Sequence, residues 1–553
     1  MSVPISAQRR AKQATQDPFL KLWQLYPLFF VAVFLSHWTL LRLPYFWDEA
    51  GYYIPAAWDL FRTGTLIPQS TITNAHPPLP SILLAGWWHL SGFVISGTRT
   101  FICMISAAAL LAVYTLARNL AGAVAGFTTA ILTGMYSIWY AQSTLAHADI
   151  FAAAFTLWAL VFYLAPQFSP ADLLKEDAPS RDLFRDRLWT ATLFSFSVLS
   201  KETAIVTPAA LTVWEIYLAY ASWRSQPERR SHLIWAATLA APVLPLIAWY
   251  GYHYHRTGFV FGNPEFLRYN ATANLSVHRI LLCLYHRLLH LTAHMNMFVP
   301  VLCGVAALLI PVASPRAPKP LPRRVLRAIA VILIANWIAF SVLGGALLTR
   351  YLLPMYPLIL LVCVSLWRRH IRRWYLVAAL SGAGFLSAIW INPPYAFAPE
   401  DNLTYRDMIV LHQQAVRIID RRFPASTVLT AWPATSELSR PEIGYTTTPI
   451  RVYPVVNFSF SNLQQAAADP GGFDTALLFS TKWEPPPGSL DMSRKNRPSD
   501  AKFFDFHHDL TPTQAAAMLH GEIVWQGRRG NEWAAVLHFP RIVTASVEPD
   551  ATR

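Results

Sequence analysis

Asp48 and Glu49 stand side by side in the stretch Phe46-Trp47-Asp48-Glu49-Ala50-Gly51-Tyr52-Tyr53, just past the end of the first long apolar run. Carboxylates at such a boundary are costly unless they are solvated, paired or used. One use open to them is proton transfer. Lys201-Glu202 splits a later apolar stretch, and Arg350-Tyr351 precedes another. Cations in such places suit an anionic ligand, a guanidinium gripping phosphate as a fork. Asp149 opens a further apolar run with His147 beside it, and His76 precedes Pro77-Pro78. Each has a plain structural reading as well. Asp48-Glu49 would be solvated loop acids, with Glu49 capping the next helix. Asp149 would complement a helix N-terminus. His76 would be a histidine before a proline turn, and Arg350 would snorkel to the interface.

The elements that must position these residues are membrane helices. Of 553 residues, 54% are hydrophobic and only 14% charged, which excludes an ordinary soluble protein. The net charge of +14 fits basic cytoplasmic loops and anionic lipid headgroups, and nucleic acid is a poor partner for it. The four cysteines show neither metal-ligand spacing nor a disulfide framework. Residues 1–21 are polar and basic without a cleavage signature, so 26–43 is expected to be a signal-anchor helix behind a cytoplasmic tail, residues 1–24.

A crossing needs roughly 20 apolar residues. By that rule there are about eleven, beginning with 26–43, 100–117, 121–141 and 150–165. They continue with 188–200, 203–220, 233–252, 298–313, 328–348, 352–367 and 374–391. The Pro-rich segment 77–95 is expected as an interfacial or re-entrant helix. Residues 188–200 and 203–220 are expected as a hairpin. Both choices keep the basic loops inside: 314–327 carries four Arg, one Lys and no acid, and 368–373 carries four Arg. The N-terminus is then cytoplasmic and the C-terminus extracytoplasmic. Asp48, Glu49, His76, His147, Asp149, Lys201, Glu202 and Arg350 all fall on the outer face. That convergence was not imposed, because only short-loop basic residues fixed the orientation.

After a transmembrane domain over 25–391, the composition shifts toward Pro, Asp, Glu and Asn. Residues 392–553 are expected to form a small soluble α/β domain on the outer face. Its elements would be a helix at 404–422, strands at 426–432, 450–456 and 475–480, and a hairpin of 522–527 and 532–539. In the loop 253–296, His286, His290 and His294 recur at helical spacing, but no Glu sits between them as in a zinc-protease motif. A surface-lying amphipathic helix with a basic face is the expectation there.

Asp48-Glu49, Tyr52 or Tyr53, Ala56-Ala57, Leu60, Gly64 and His76-Pro77-Pro78-Leu79 together resemble the first outer loop of GT-C glycosyltransferases that use polyprenyl-phosphate sugars. This group includes the protein O-mannosyltransferases and the lipid A aminoarabinose transferases. Arg118-Asn119-Leu120-Ala121-Gly122, His147-Ala148-Asp149 and Arg350-Tyr351-Leu352-Leu353-Pro354 match further stretches in the same order. The resemblance covers roughly residues 26–357. It implies an α-helical polytopic GT-C fold, with interfacial helices in the first outer loop. It also implies an inverting single displacement from a polyprenyl-phosphate monosaccharide to a glycan, lipid or protein acceptor. Asp48 is the implied base, and Glu49 would orient the acceptor or Asp48. Lys201, Arg350 and His76 would hold the donor phosphate, with Asp149, Glu202, Arg268 and Tyr351 in supporting contacts. His76 stands where relatives often carry lysine, so its contact depends on pH. No metal and no cofactor are expected beyond the lipid-linked donor. A flippase for lipid-linked sugar or a non-catalytic envelope-assembly subunit are the alternatives. A flippase would be expected to show internal repeats.

Overall fold

The structure, a computed structural model, describes residues 22–71, 73, 76–164, 182–260, 275–343, 347–481, 483, 485, 498, 502 and 507–539. Arg268 lies outside them.

Every apolar run identified above is helical over most of its length. Ile95–Ala121, Glu202–Ala221, Gln226–Thr257 and Arg323–Val342 are long and apolar enough to cross a membrane. Val277–Asn296 and Phe298–Leu308, bent by 100°, would make a fifth crossing if taken as one. Other apolar helices are shorter, 10–17 residues, among them Ala123–Met135, Ala148–Leu164 and Trp374–Trp390. Some apolar runs are helical over only part of their length. The run at 26–43, for example, is helical over Leu22–Ser36 and then becomes a 3-10 turn at Trp38–Leu40. Large apolar side chains such as Val213, Tyr217, Leu244 and Leu302 point outward. In water such a belt would be a liability; in lipid it is the solvent-facing surface.

The segment after Pro77-Pro78 is a helix, Leu79–Ser91, of 13 residues. At 1.5 Å per residue it spans roughly 20 Å, short of a hydrocarbon core about 30 Å thick. It packs beside Ile54–Thr63 and Ile95–Ala121, with Trp88 Nε1 donating to Thr98 Oγ1 at 2.9 Å. The expected hairpin is present. Leu183–Ser200 ends at Lys201, whose backbone is extended, and the chain returns through the 3-10 turn Glu202–Ile205 into Val206–Ala221.

The C-terminal domain is a five-stranded sheet of order β2-β1-β3-β5-β4. Its strands are β1 (Thr427–Ala431), β2 (Arg451–Val455), β3 (Thr475–Phe479), β4 (Glu522–Arg529) and β5 (Glu532–His538). β2, β1 and β3 run parallel, and β5 and β4 join antiparallel as a hairpin. The helix Thr404–Arg422 buries its apolar face, including Met408, Leu411 and Ala415, against β4 and β5.

This domain sits directly on the first loop. Tyr45 N donates to Ile443 O at 3.1 Å, and Arg440 reaches the Ser70 carbonyl. Trp432 stacks edge-on against Trp47, with centroids 4.9 Å apart, and also meets Tyr52. A Cβ on Gly51 would fall 2.5 Å from Trp432 Nε1, so glycine is what permits this approach.

Candidate active site

The first loop presents its two acids to different surroundings. Trp47 is held at φ 50, in the left-handed region, and a π-helical turn over Glu49–Tyr53 follows before Ile54–Thr63 begins. Such turns are uncommon and concentrate at functional sites. Glu49 is fully buried. Its carboxylate accepts from Arg99 Nη1 at 2.6 Å, Phe46 N at 2.8 Å and Ala146 N at 2.5 Å. Arg99, buried as well, also donates to the carbonyls of Thr144 and Pro44, each at 2.7 Å. This pair ties loop 44–49 to loop 144–146. Asp48 turns the other way and keeps some exposure, and its carboxylate meets Arg350 Nη2.

Arg350 lies in the 3-10 turn Thr349–Leu352, ahead of the helix Met355–His370. Carboxyl groups surround its guanidinium. Nη2 meets Asp48, Nη1 donates to Glu400 Oε1 at 2.5 Å, and Nε lies 3.4 Å from Asp149 Oδ2. Asp149 also accepts from Lys201 Nζ at 2.7 Å. That ammonium sits 3.9 Å from the centroid of the Tyr351 ring, a cation–π contact. Asp48, Asp149, Lys201, Arg350 and Tyr351, spread over 304 positions of sequence, thus form one connected group.

Glu202 does not face its neighbour Lys201. It pairs with His76 Nδ1 at 2.8 Å, and the His76 ring stacks on Tyr53. Lys201 is extended and Glu202 opens the 3-10 turn, so each member of the Lys-Glu pair finds its own partner. His147 is buried, with Nδ1 2.9 Å from Gln142 Oε1 and 3.5 Å from Arg350 Nη1. Burial, aided by the charges of Arg350, Lys201 and Arg99, drives its pKa well below the usual imidazole value, so it is neutral.

Three charged residues at this site went unrecognised in the sequence: Arg99, Glu400 and Asp401. Asp401 accepts from Thr349 Oγ1 and lies 2.9 Å from His294 Nε2. Burial raises the Glu400 carboxyl to about 8 against the opposing pull of Arg350. At neutral pH it is therefore protonated. Arg287 differs from its expected place on a basic surface: it is buried, donates to Leu348 O at 2.5 Å and lies over the Tyr351 ring. Among the described residues no three His, Cys, Asp or Glu side chains converge as metal ligands.

Two clefts lie at or near the group. One is lined by Asp149, Lys201, Arg350 and Tyr351 together with Thr207, Asn336 and Phe340, from the helices Val206–Ala221 and Arg323–Val342. The other is lined by Tyr52, Tyr53, His76, Pro78, Ser81 and Trp249.

Comparison with solved structures identifies the architecture. ArnT from Cupriavidus metallidurans bound to undecaprenyl phosphate superposes with a TM-score of 0.53 at 13% identity, covering 92% of this chain and 98% of that one. Its apo form gives 0.54 at 13% identity, covering 93% and 98%. The chain has the GT-C glycosyltransferase fold. It is an integral membrane protein of that architecture. Residues 75–249 match the sequence family described as dolichyl-phosphate-mannose-protein mannosyltransferase. A search of curated protein sequences finds no match. The superposition spans the helical region and the C-terminal domain alike, whereas the motif resemblance ended near residue 357.

Proposed function

We propose that the protein is a membrane glycosyltransferase that moves a monosaccharide from a polyprenyl-phosphate donor to a glycan, lipid or protein acceptor. The observation that carries this reading is the joining of Asp48 to Lys201, Arg350 and Asp149, the last three lining a cleft that the apolar helices Val206–Ala221 and Arg323–Val342 also line. A lipid phosphate needs cations at its head and apolar walls for its tail. The ArnT crystal structure holding undecaprenyl phosphate in the same fold supports that choice of donor. The second cleft, walled by Tyr52, Tyr53, His76 and Trp249, is the proposed acceptor side.

In the proposed reaction, the acceptor heteroatom attacks the anomeric carbon. The bond to the phosphate oxygen breaks, and the phosphate leaves with the electron pair. Asp48 takes the acceptor proton. Lys201 and Arg350 stabilise the charge on the departing phosphate, where pre-set donors act most strongly. Arg350 also orients Asp48. Attack opposite the leaving group gives inversion. Glu49 holds the loop rather than touching substrate. His76 and Glu202 act as a pair, with His76 the phosphate contact only when Glu202 releases it. No metal enters this scheme, so a chelator is expected to leave transfer unchanged.

We also propose that the N-terminus is cytoplasmic and the C-terminal domain extracytoplasmic. The basic short loops support this, as does the seating of the C-terminal domain on the same side as Asp48. A reporter fused after Asn392 is expected to read extracytoplasmic; a cytoplasmic reading would reverse the site's face. The transferase reading is tested with purified full-length protein, labelled polyprenyl-phosphate sugars and a panel of acceptors, with and without chelator. Transfer of label is expected. Movement of donor across vesicles without transfer would instead point to a flippase, and neither activity to an assembly subunit.

A further inference from the structure

Glu400 belongs to the segment that leaves the last apolar helix and enters the C-terminal domain, yet its carboxyl lies inside the polar group. The segment is fixed just beyond it. Asp401 bonds to Thr349, the residue before Arg350, and to His294. Asn402 donates to Asn392 Oδ1 at 2.7 Å and to Ala388 O at 3.2 Å. Beyond the turn Pro399–Asp401 the chain enters the helix Thr404–Arg422, and Tyr405 Oη lies 3.1 Å from Thr144 Oγ1, beside the Arg99–Glu49 pair. Glu400 is 4% exposed, so its carboxyl has little freedom except toward Arg350.

We propose that Glu400 is a positioning residue of the transferase. Its carboxyl fixes the Arg350 guanidinium through Nη1, so that the arm meeting Asp48 is held where the donor phosphate can share it, and the C-terminal domain thereby completes the active centre. The inference rests on the transferase reading above. Arg350 has several carboxyl partners, and an anionic donor must share that guanidinium with them. A neutral acid fixes its orientation without neutralising it; an ionised one competes with phosphate for it. The charged and titratable groups around Glu400 are Arg350, with Asp48, Asp149 and His147 across the same guanidinium, and Asp401 on its own turn. Burial places its ionisation at about 8, so the change from orienting group to competitor falls just above neutrality.

The test is binding of undecaprenyl phosphate to purified full-length protein in detergent, measured from pH 6.5 to 9.5. The variants are E400A, E400Q, R350A and the double variant E400A/R350A. At pH 7, E400A is expected to weaken binding about tenfold, the scale of one charge-assisted contact, and E400Q to recover most of that loss. Above pH 8 the wild type should lose affinity and E400Q should not. On the R350A background, E400A should add nothing, because Glu400 acts through Arg350. A purely structural role would add its effect to R350A and would not give the alkaline difference. If wild type binds and R350A does not, while E400A and E400Q follow wild type at every pH, the role of Glu400 is overturned. If wild type itself fails to bind, the transferase reading falls and takes this inference with it.

Discussion

At the scale of single residues, the Asp-Glu pair divides into two jobs. Glu49 faces inward, sealed against Arg99 and two backbone N–H groups. Asp48 faces Arg350 and keeps some exposure. Removing one member of a buried, hydrogen-bonded pair leaves an uncompensated charge and costs about 3–5 kcal/mol. Glu49→Gln is therefore expected to lower the thermal or denaturant midpoint markedly in detergent, because it strands Arg99. Asp48→Asn should change stability much less while removing transfer. Equal stability of the two variants would contradict the division. The pair was legible in the sequence because it sits at an apolar boundary. Its division was not, since Arg99 lies 50 positions away and looks like a charge at the start of an apolar helix. Glu400-Asp401 carried a related signal, an acid pair soon after the last apolar run, but it fell on the far side of the boundary drawn at 392.

Among the elements, the hairpin break at Lys201 and the short helix after Pro77-Pro78 could be anticipated from composition and loop charge. The strands and the Thr404–Arg422 helix followed from periodicity and turn residues. What periodicity does not encode is how an element from one region docks on another. Trp432 is the main example. It begins the segment after β1 and packs onto Gly51, Trp47 and Tyr52 in the first loop. Nothing in the local sequence marks it, because its partners lie in a separate part of the chain. A methyl group at Gly51 must displace an indole held between Trp47 and Tyr52, and overpacking of this kind costs about 1–3 kcal/mol. Gly51→Ala is expected to lower stability and transfer together. Adding Trp432→Ala should restore part of both, since the clash is then gone. A Gly51→Ala protein indistinguishable from wild type in melting and turnover would show that this contact does not brace the loop.

Across the whole molecule, the C-terminal domain is not a separate appendage. Trp432 bears on the loop that carries Asp48, and the turn Pro399–Asp401 bears on Arg350. The GT-C architecture extends through this region, as the superposition on ArnT shows. Among the described residues, four helices, or five with the bent pair, are long and apolar enough to cross, and shorter apolar helices accompany them where the run lengths suggested about eleven crossings. The cleft proposed for the acceptor contains aromatic rings, prolines, His76 and Ser81, a lining compatible with sugars and apolar groups. Its chemistry leaves the sugar and the acceptor to be identified by assay.

The central claim is that Asp48 activates an acceptor for attack on a polyprenyl-phosphate sugar. The most direct measurement is label transfer by purified full-length protein, wild type beside Asp48→Asn, using an acceptor that wild type glycosylates. The account predicts product from wild type and a loss of at least about a hundredfold for Asp48→Asn, the low end of general-base catalysis, with donor binding retained. Equal transfer by the two proteins would contradict it.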